Sequence, residues 1–170
     1  TDALDSRMLA MLGCERKLAA WSPPDKTLRH LKALSRQRSF LLKEKNVEKN
    51  RLHAFQASAY SNPREIKRQA KRLKLLELQL LEIGQEMKEL VKGNQHLAQK
   101  IHYLESIPGV SFISAATVVG ETCGFNEISS AKQLASYAGY DVVLKESGTY
   151  RGSTKISKKG NSHIRSMLHM

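Results

Sequence analysis

The chain has few of the residues that fix a compartment or a cofactor. Its only two cysteines, Cys14 and Cys123, lie far apart and form no CxxC pair. That pattern fits a reducing, cytoplasmic setting, with both thiols as small buried apolar side chains. No run of about eighteen apolar residues exists, which excludes a helix spanning a bilayer. The opening "TDALDSRMLA" is acidic and amphipathic and does not resemble a secretory leader. Acidic residues are also scarce. There are 16 Asp and Glu against 28 Lys and Arg, a net charge of +12. Such an excess attracts polyanions, nucleic acid first and an anionic membrane surface second. The chain starts without Met and stops at Met170 inside an amphipathic pattern, so it reads as part of a longer protein.

Proline is equally sparse, so each one acts as punctuation. Residues 1 to about 19 read as a short helix with Leu4, Met8, Met11 and Leu12 on one face and Gly13 as its end or kink. Pro23 and Pro24 break the chain before a long helix expected from Thr27, its cap, to Tyr60. "SNP" at 61–63 then turns it. Beyond the turn, Ile66, Leu73, Leu80, Met87, Asn94 and Ile101 recur every seven residues. Gln69, Leu76, Ile83, Leu90, Leu97 and Leu104 form the second line of the heptad. This predicts a coiled coil in an antiparallel hairpin that also joins protomers, with Asn94 at an interior position selecting the register. By itself the heptad argues for structure or oligomerisation. At its start Arg64, Lys67, Arg68 and Lys71 read either as a solvated face or as a rail for a phosphate backbone.

From Glu105 onward small and apolar residues surround a Pro-Gly turn. "SIPGVSFISAATVVGE" reads as a helix-hairpin-helix, in which Gly109 and Ser111 would offer backbone N–H groups to a DNA phosphate, or as a plain helical corner. A short helix at 129–139 follows, capped by Ser129 or Ser130 and ended by Gly139. A short strand is expected in "YDVVLKESG". The last helix starts at Asn161 or Ser162 and turns Ile164, Met167 and Leu168 inward.

Two places can carry chemistry. Asp2 and Asp5, three residues apart on a helix, project carboxylates from one face and suit Mg²⁺; they are equally ordinary partners of the helix dipole. Ser147 sits among Lys145, Arg151, Lys155, Lys158, Lys159 and Arg165. It is either a turn residue or a hydroxyl held where cations would stabilise a phosphate under attack.

Four blocks, "TDALDSRMLA", "ESIPGVSFISAATVVGE", "SSAKQLASYAGYDVV" and "ESGTYRGSTKISKKGNSHIRSMLHM", occur in an order that resembles the DEDD-type transposases of the insertion-sequence 110 family, bridge-RNA-guided recombinases. The resemblance implies a mainly α fold: the end of a RuvC-type, RNase H-like domain over 1–20, a linker and coiled-coil hairpin over 21–104, and a transposase domain, cut short at its C-terminus, over 105–170. It places the last two of four acidic Mg²⁺ ligands on Asp2 and Asp5, with the first two preceding residue 1. It places the serine nucleophile of strand exchange on Ser147. DNA, a guide RNA and further copies of the chain would be its partners. A span with half the carboxylate set is expected to be incomplete as an enzyme alone. The rival expectation is a non-catalytic module that binds nucleic acid and self-associates.

Overall fold

Asn62 and Pro63 set the chain's main reversal. The Asn62 side chain accepts a hydrogen bond from Arg64 N at 3.0 Å, and Pro63 opens the next helix where a missing N–H costs nothing. The computed structural model describes residues 2–17, 23–60, 62–144 and 146–168. Among them are seven α-helices: α1 (Asp2–Glu15), α2 (Lys26–Ala57), α3 (Pro63–Lys92), α4 (Gln95–Glu105), α5 (Phe112–Glu121), α6 (Ala131–Ala138) and α7 (Ser162–Leu168). The fold is mainly α.

Helices α2 and α3 form an antiparallel hairpin. Lys45 pairs with Glu77 at 3.0 Å and His30 with Glu86 at 3.3 Å, so partner numbers fall along α3 as they rise along α2. The heptad line supplies the seam: Leu76, Ile83 and Met87 are buried, and Leu31 and Leu34 of α2 are buried with them. The cap of α2 is Asp25, whose carboxylate accepts from Thr27 N at 3.0 Å, and not Thr27 as expected. A carboxylate there also lies at the positive end of the helix dipole.

The helix does not run through the heptad as the repeat predicts. It stops at Gly93, and Asn94 becomes the cap of α4, its side chain accepting from Leu97 N at 3.1 Å. A short amide that can bond nearby backbone favours a cap over a helix interior. The apolar phase nevertheless survives the break, because Leu97 and Ile101 are again buried.

Helix α5 is the core of the molecule, buried from Ser114 to Glu121. Its small residues allow close approach to α2: a Cβ on Gly120 would lie 3.1 Å from Lys32 N and 3.3 Å from Lys32 Cα. Leu31, Met87, Ile101, Ala116 and Val119 meet there in one cluster. Val118, Ala138 and Ile164 make a second, smaller one.

Between α6 and α7 the chain forms a narrow antiparallel ribbon. Strand β1 (Val142–Val143) pairs with β4 (Lys155–Ile156), and β2 (Glu146–Ser147) pairs with β3 (Tyr150–Arg151). The single strand expected from "YDVVLKESG" is therefore two short ones.

Other expectations also change. Helix α1 continues through Gly13 to Glu15, and the expected helical residues 18–19 lie outside the described residues. Cys14 is exposed and Cys123 only half-buried, since α1 buries no residue and Cys123 lies in a surface 3-10 turn. Leu168 is exposed, because only Ile164 of the short α7 is buried.

Candidate active site

The ribbon carries Ser147 at its tip. Gly148 takes φ +59°, the left-handed conformation that a two-residue hairpin turn requires, and Ser147 faces Tyr150 in the register. Ser147 is exposed, and its hydroxyl has no hydrogen-bond partner among the described residues. The site therefore presents an unencumbered alcohol without a base bonded to it. Lys145 lies outside the described residues.

The basic loop beside the ribbon is fixed by its backbone. Ser157 N donates to Asp141 O at 2.7 Å, Lys158 N to Gly139 O at 3.0 Å and Asn161 N to Tyr137 O at 2.7 Å. Lys158 adopts φ +55°. Gly160 is required by contact, since a Cβ there would fall 2.5 Å from Tyr137 O and 2.7 Å from Gly139 N. Held in this way, Lys155, Lys158 and Lys159 point their charges to solvent, with no carboxylate partner among the described residues. Arg165 is committed differently: its Nη1 donates to Ala138 O at 2.7 Å and helps close the end of α6.

Glu121 ties this region to the hairpin, and sequence reasoning did not single it out. Only 1 % exposed, its carboxylate receives both Arg36 Nε (2.7 Å) and Arg36 Nη2 (3.0 Å), and also Asn161 Nδ2 (2.7 Å). Lys32 Nζ lies 3.5 Å away. Burial pushes the carboxyl up, but the hydrogen bonds from Arg36 and Asn161 and the charges of Lys32 and Arg36 outweigh it and hold Glu121 below its ordinary value. Arg36 is raised in turn, chiefly by its hydrogen bond to Glu121. Meanwhile Asn161 Oδ1 accepts from His163 N and Ile164 N, capping α7. One acidic residue ending an otherwise apolar helix was the available signal.

The remaining candidates lie elsewhere. Asp2 and Asp5 are exposed in the first turn of α1, and no hydrogen bond or ion pair among the described residues joins them to the ribbon. Their exposed carboxylates, one helical turn apart, have the hard-oxygen chemistry that Mg²⁺ takes. They supply two ligands; among the described residues no group of three or more His, Cys, Asp or Glu could hold a metal. Arg64, Lys67, Arg68 and Lys71 are exposed on successive turns of α3 at the far end of the hairpin. The neighbouring Arg72 instead pairs at 3.4 Å with the buried Glu48, which also takes Arg51 at 2.9 Å. In the 106–111 turn Gly109 has φ +88° with open space at its Cβ position, and Ser111 Oγ caps α5 by accepting from Ser114 N at 3.3 Å.

Comparison with known families bears on both ends of the chain. A transposase model of the DEDD, IS110 type matches residues 1–61, and the model described as "Transposase IS116/IS110/IS902 family" matches residues 101–170. The chain belongs to the IS110 transposase family. No curated protein matches it. The first match of this transposase spans α1 and α2, and the second runs from α4 to the end, taking in α5, the ribbon and the basic loop. Transposition is the process the family serves. None of the described helices is long and apolar enough to cross a membrane.

Proposed function

We propose that this chain contributes the serine nucleophile of a DNA strand-exchange reaction, Ser147, presented to a phosphate gathered by Lys155, Lys158 and Lys159. The observation that carries this reading is the exposed Ser147 hydroxyl, without a hydrogen-bond partner among the described residues, on a ribbon whose base is stitched to a loop of exposed lysines. In the step, a bond forms between Ser147 Oγ and phosphorus while the bond from phosphorus to one deoxyribose oxygen breaks. The serine proton ends on the departing hydroxyl, so no phosphodiester energy is lost and the exchange is reversible. The lysines stabilise the charge that builds on the non-bridging oxygens.

Asp2 and Asp5 would hold Mg²⁺ together with ligands from outside α1, and the ion would supply Lewis-acid polarisation of the phosphate. In this reading α1 closes an RNase H-like domain, the α2–α3 hairpin joins copies of the chain, and a guide RNA pairing with DNA chooses the sites. Arg64, Lys67, Arg68 and Lys71 track a phosphate backbone, and the Gly109–Ser111 turn grips another phosphate. Arg151 and Lys145 add charge to the same stretch of sequence.

The test is a Ser147→Ala variant of the protein as encoded, given labelled DNA and Mg²⁺. Loss of both strand exchange and the covalent protein–DNA adduct, with DNA binding retained, supports the nucleophile; an adduct that persists overturns it. The second reading, a non-catalytic nucleic-acid-binding module, draws on the absence of a base bonded to Ser147 among the described residues. It predicts that Ser147→Ala changes nothing.

A further inference from the structure

Beside the basic loop lies a shallow cavity of about 590 Å³ lined by Gln133, Ser136, Tyr137, Lys159, Gly160 and Asn161. Tyr137 and Gln133 also border a larger cavity of about 740 Å³ on the side of the 3-10 turn. Tyr137 is 41 % exposed, which is unusual for an aromatic side chain whose hydroxyl is already tied down, here to Glu121 O at 3.2 Å. The bond holds one end of the phenol and leaves the rest of the ring accessible.

Most polar groups of the cavity are already committed. Ser136 Oγ donates to Asp141 Oδ2 at 2.8 Å. Asn161 uses its amide nitrogen on Glu121 and its oxygen on the start of α7. Gln133 Oε1 accepts from both Ser129 N and Ser129 Oγ, at 2.8 and 3.0 Å. Left without a partner among the described residues are Gln133 Nε2 and Lys159 Nζ, both donors, beside the ring of Tyr137. A complementary ligand is flat, has acceptors along one edge and carries a negative charge a short way off. Nucleobase carbonyls and ring nitrogens are acceptors, every base has a face to stack on an aromatic ring, and the adjoining phosphate suits an ammonium.

We infer that this cavity receives an unpaired nucleotide, with the base on Tyr137, its edge at Gln133 and its phosphate at Lys159. The inference rests on the nucleic-acid reading above. A duplex keeps its bases stacked and cannot offer such a face without extruding one. The site therefore discriminates single strands from duplex, which the lysines alone do not.

The probe is a single-stranded oligonucleotide carrying 2-aminopurine, as DNA and as RNA, with the blunt DNA duplex of the same sequence as control, bound to the 170-residue chain. The 2-aminopurine fluorescence is expected to be quenched on binding. Tyr137→Leu should abolish the quench and weaken single-strand binding roughly tenfold, with duplex affinity unchanged. Tyr137→Phe keeps the ring but loses the hydroxyl bond to Glu121 O, and should still quench; this separates stacking from the tether. Should Tyr137→Leu fail to fold, Gln133→Glu at an exposed position carries the test, lowering single-strand affinity more than duplex affinity. Quenching of either DNA or RNA supports the site, and the tighter one identifies its source. Equal losses on single strand and duplex, or unchanged quenching in Tyr137→Leu, overturn the inference and leave the nucleic-acid reading standing. Failure of the unaltered chain to bind any of the three probes removes both.

Discussion

Glu121 is buried with two cations and an amide aimed at it, so its carboxylate is stabilised only while all of them stay in place. Replacing it by Gln leaves the partly solvated Arg36 and Lys32 facing a neutral group, and the loss of charge-assisted hydrogen bonds should cost about 1.5–3 kcal/mol. Urea denaturation at neutral pH measures that loss. The pH dependence follows from the lowered folded-state value of Glu121. The stabilisation is fully present above the ordinary carboxyl range, near pH 4.3. It is lost as pH falls through the depressed folded value, because the unfolded chain takes up the proton first. In Glu121→Gln that acid-side slope should flatten, which a series of melts between pH 3 and 6 would show. Two glycines make a sharper contrast. Gly160→Ala would drive a methyl group into the Tyr137 carbonyl and the Gly139 nitrogen, costing about 2 kcal/mol. Gly84→Ala meets no atom within 4 Å and should stabilise α3 by about 0.5–1 kcal/mol. Thermal melts of the two variants should move in opposite directions.

The hairpin depends on its seam. Met87→Ala removes a fully buried side chain and should cost roughly 2–5 kcal/mol. Leu81→Ala, on the exposed side of the same helix, should change stability by less than about 0.5 kcal/mol. The seam was legible because a seven-residue apolar period is a local property of the sequence. The turn at Asn62–Pro63 was legible for the same reason, and the caps of α6 and α7 were narrowed to neighbouring pairs, of which Ser130 and Asn161 do the capping: each is decided within four residues. Asn94 was misread because a heptad count registers position and not the competition of a short amide for its own backbone. Thr27 gave way to Asp25 on a similar local detail. What the sequence could not display was the Glu121 cluster, whose partners Arg36 and Asn161 lie 85 and 40 residues away. Nor could it show that Tyr137 is half-open or that Arg165 spends its guanidinium on a helix end. Those follow from how α5, α6 and α7 converge. For Ser147 the neighbouring cations were visible in the sequence, while its exposure and its place at the ribbon tip follow only from the fold.

At the scale of the whole molecule, the net charge of +12 includes two exposed clusters, the α3 stripe and the 155–159 loop. Binding to nucleic acid should weaken steeply with salt, log affinity falling linearly with log concentration. Neutralising Lys155 and Lys158 together should reduce that slope by about 2 if each meets a phosphate, a result that titrations at several ionic strengths would give directly. Substituting the Arg72–Glu48 pair should leave the slope nearly unchanged, since that arginine already has its counter-charge.

The clamp at Glu121 grips α2 through Lys32 and Arg36, close to one end of a helix of 32 residues. About 20 residues of α2, or about 30 Å, extend beyond the grip. Mechanically this is a long arm on a short fulcrum. A rotation of about 10° at the fulcrum would sweep the far end of the arm through about 5 Å. A force applied at the Arg64–Lys71 end of the hairpin would therefore exert torque on Glu121, and through Asn161 on the loop that carries Lys158 and Lys159.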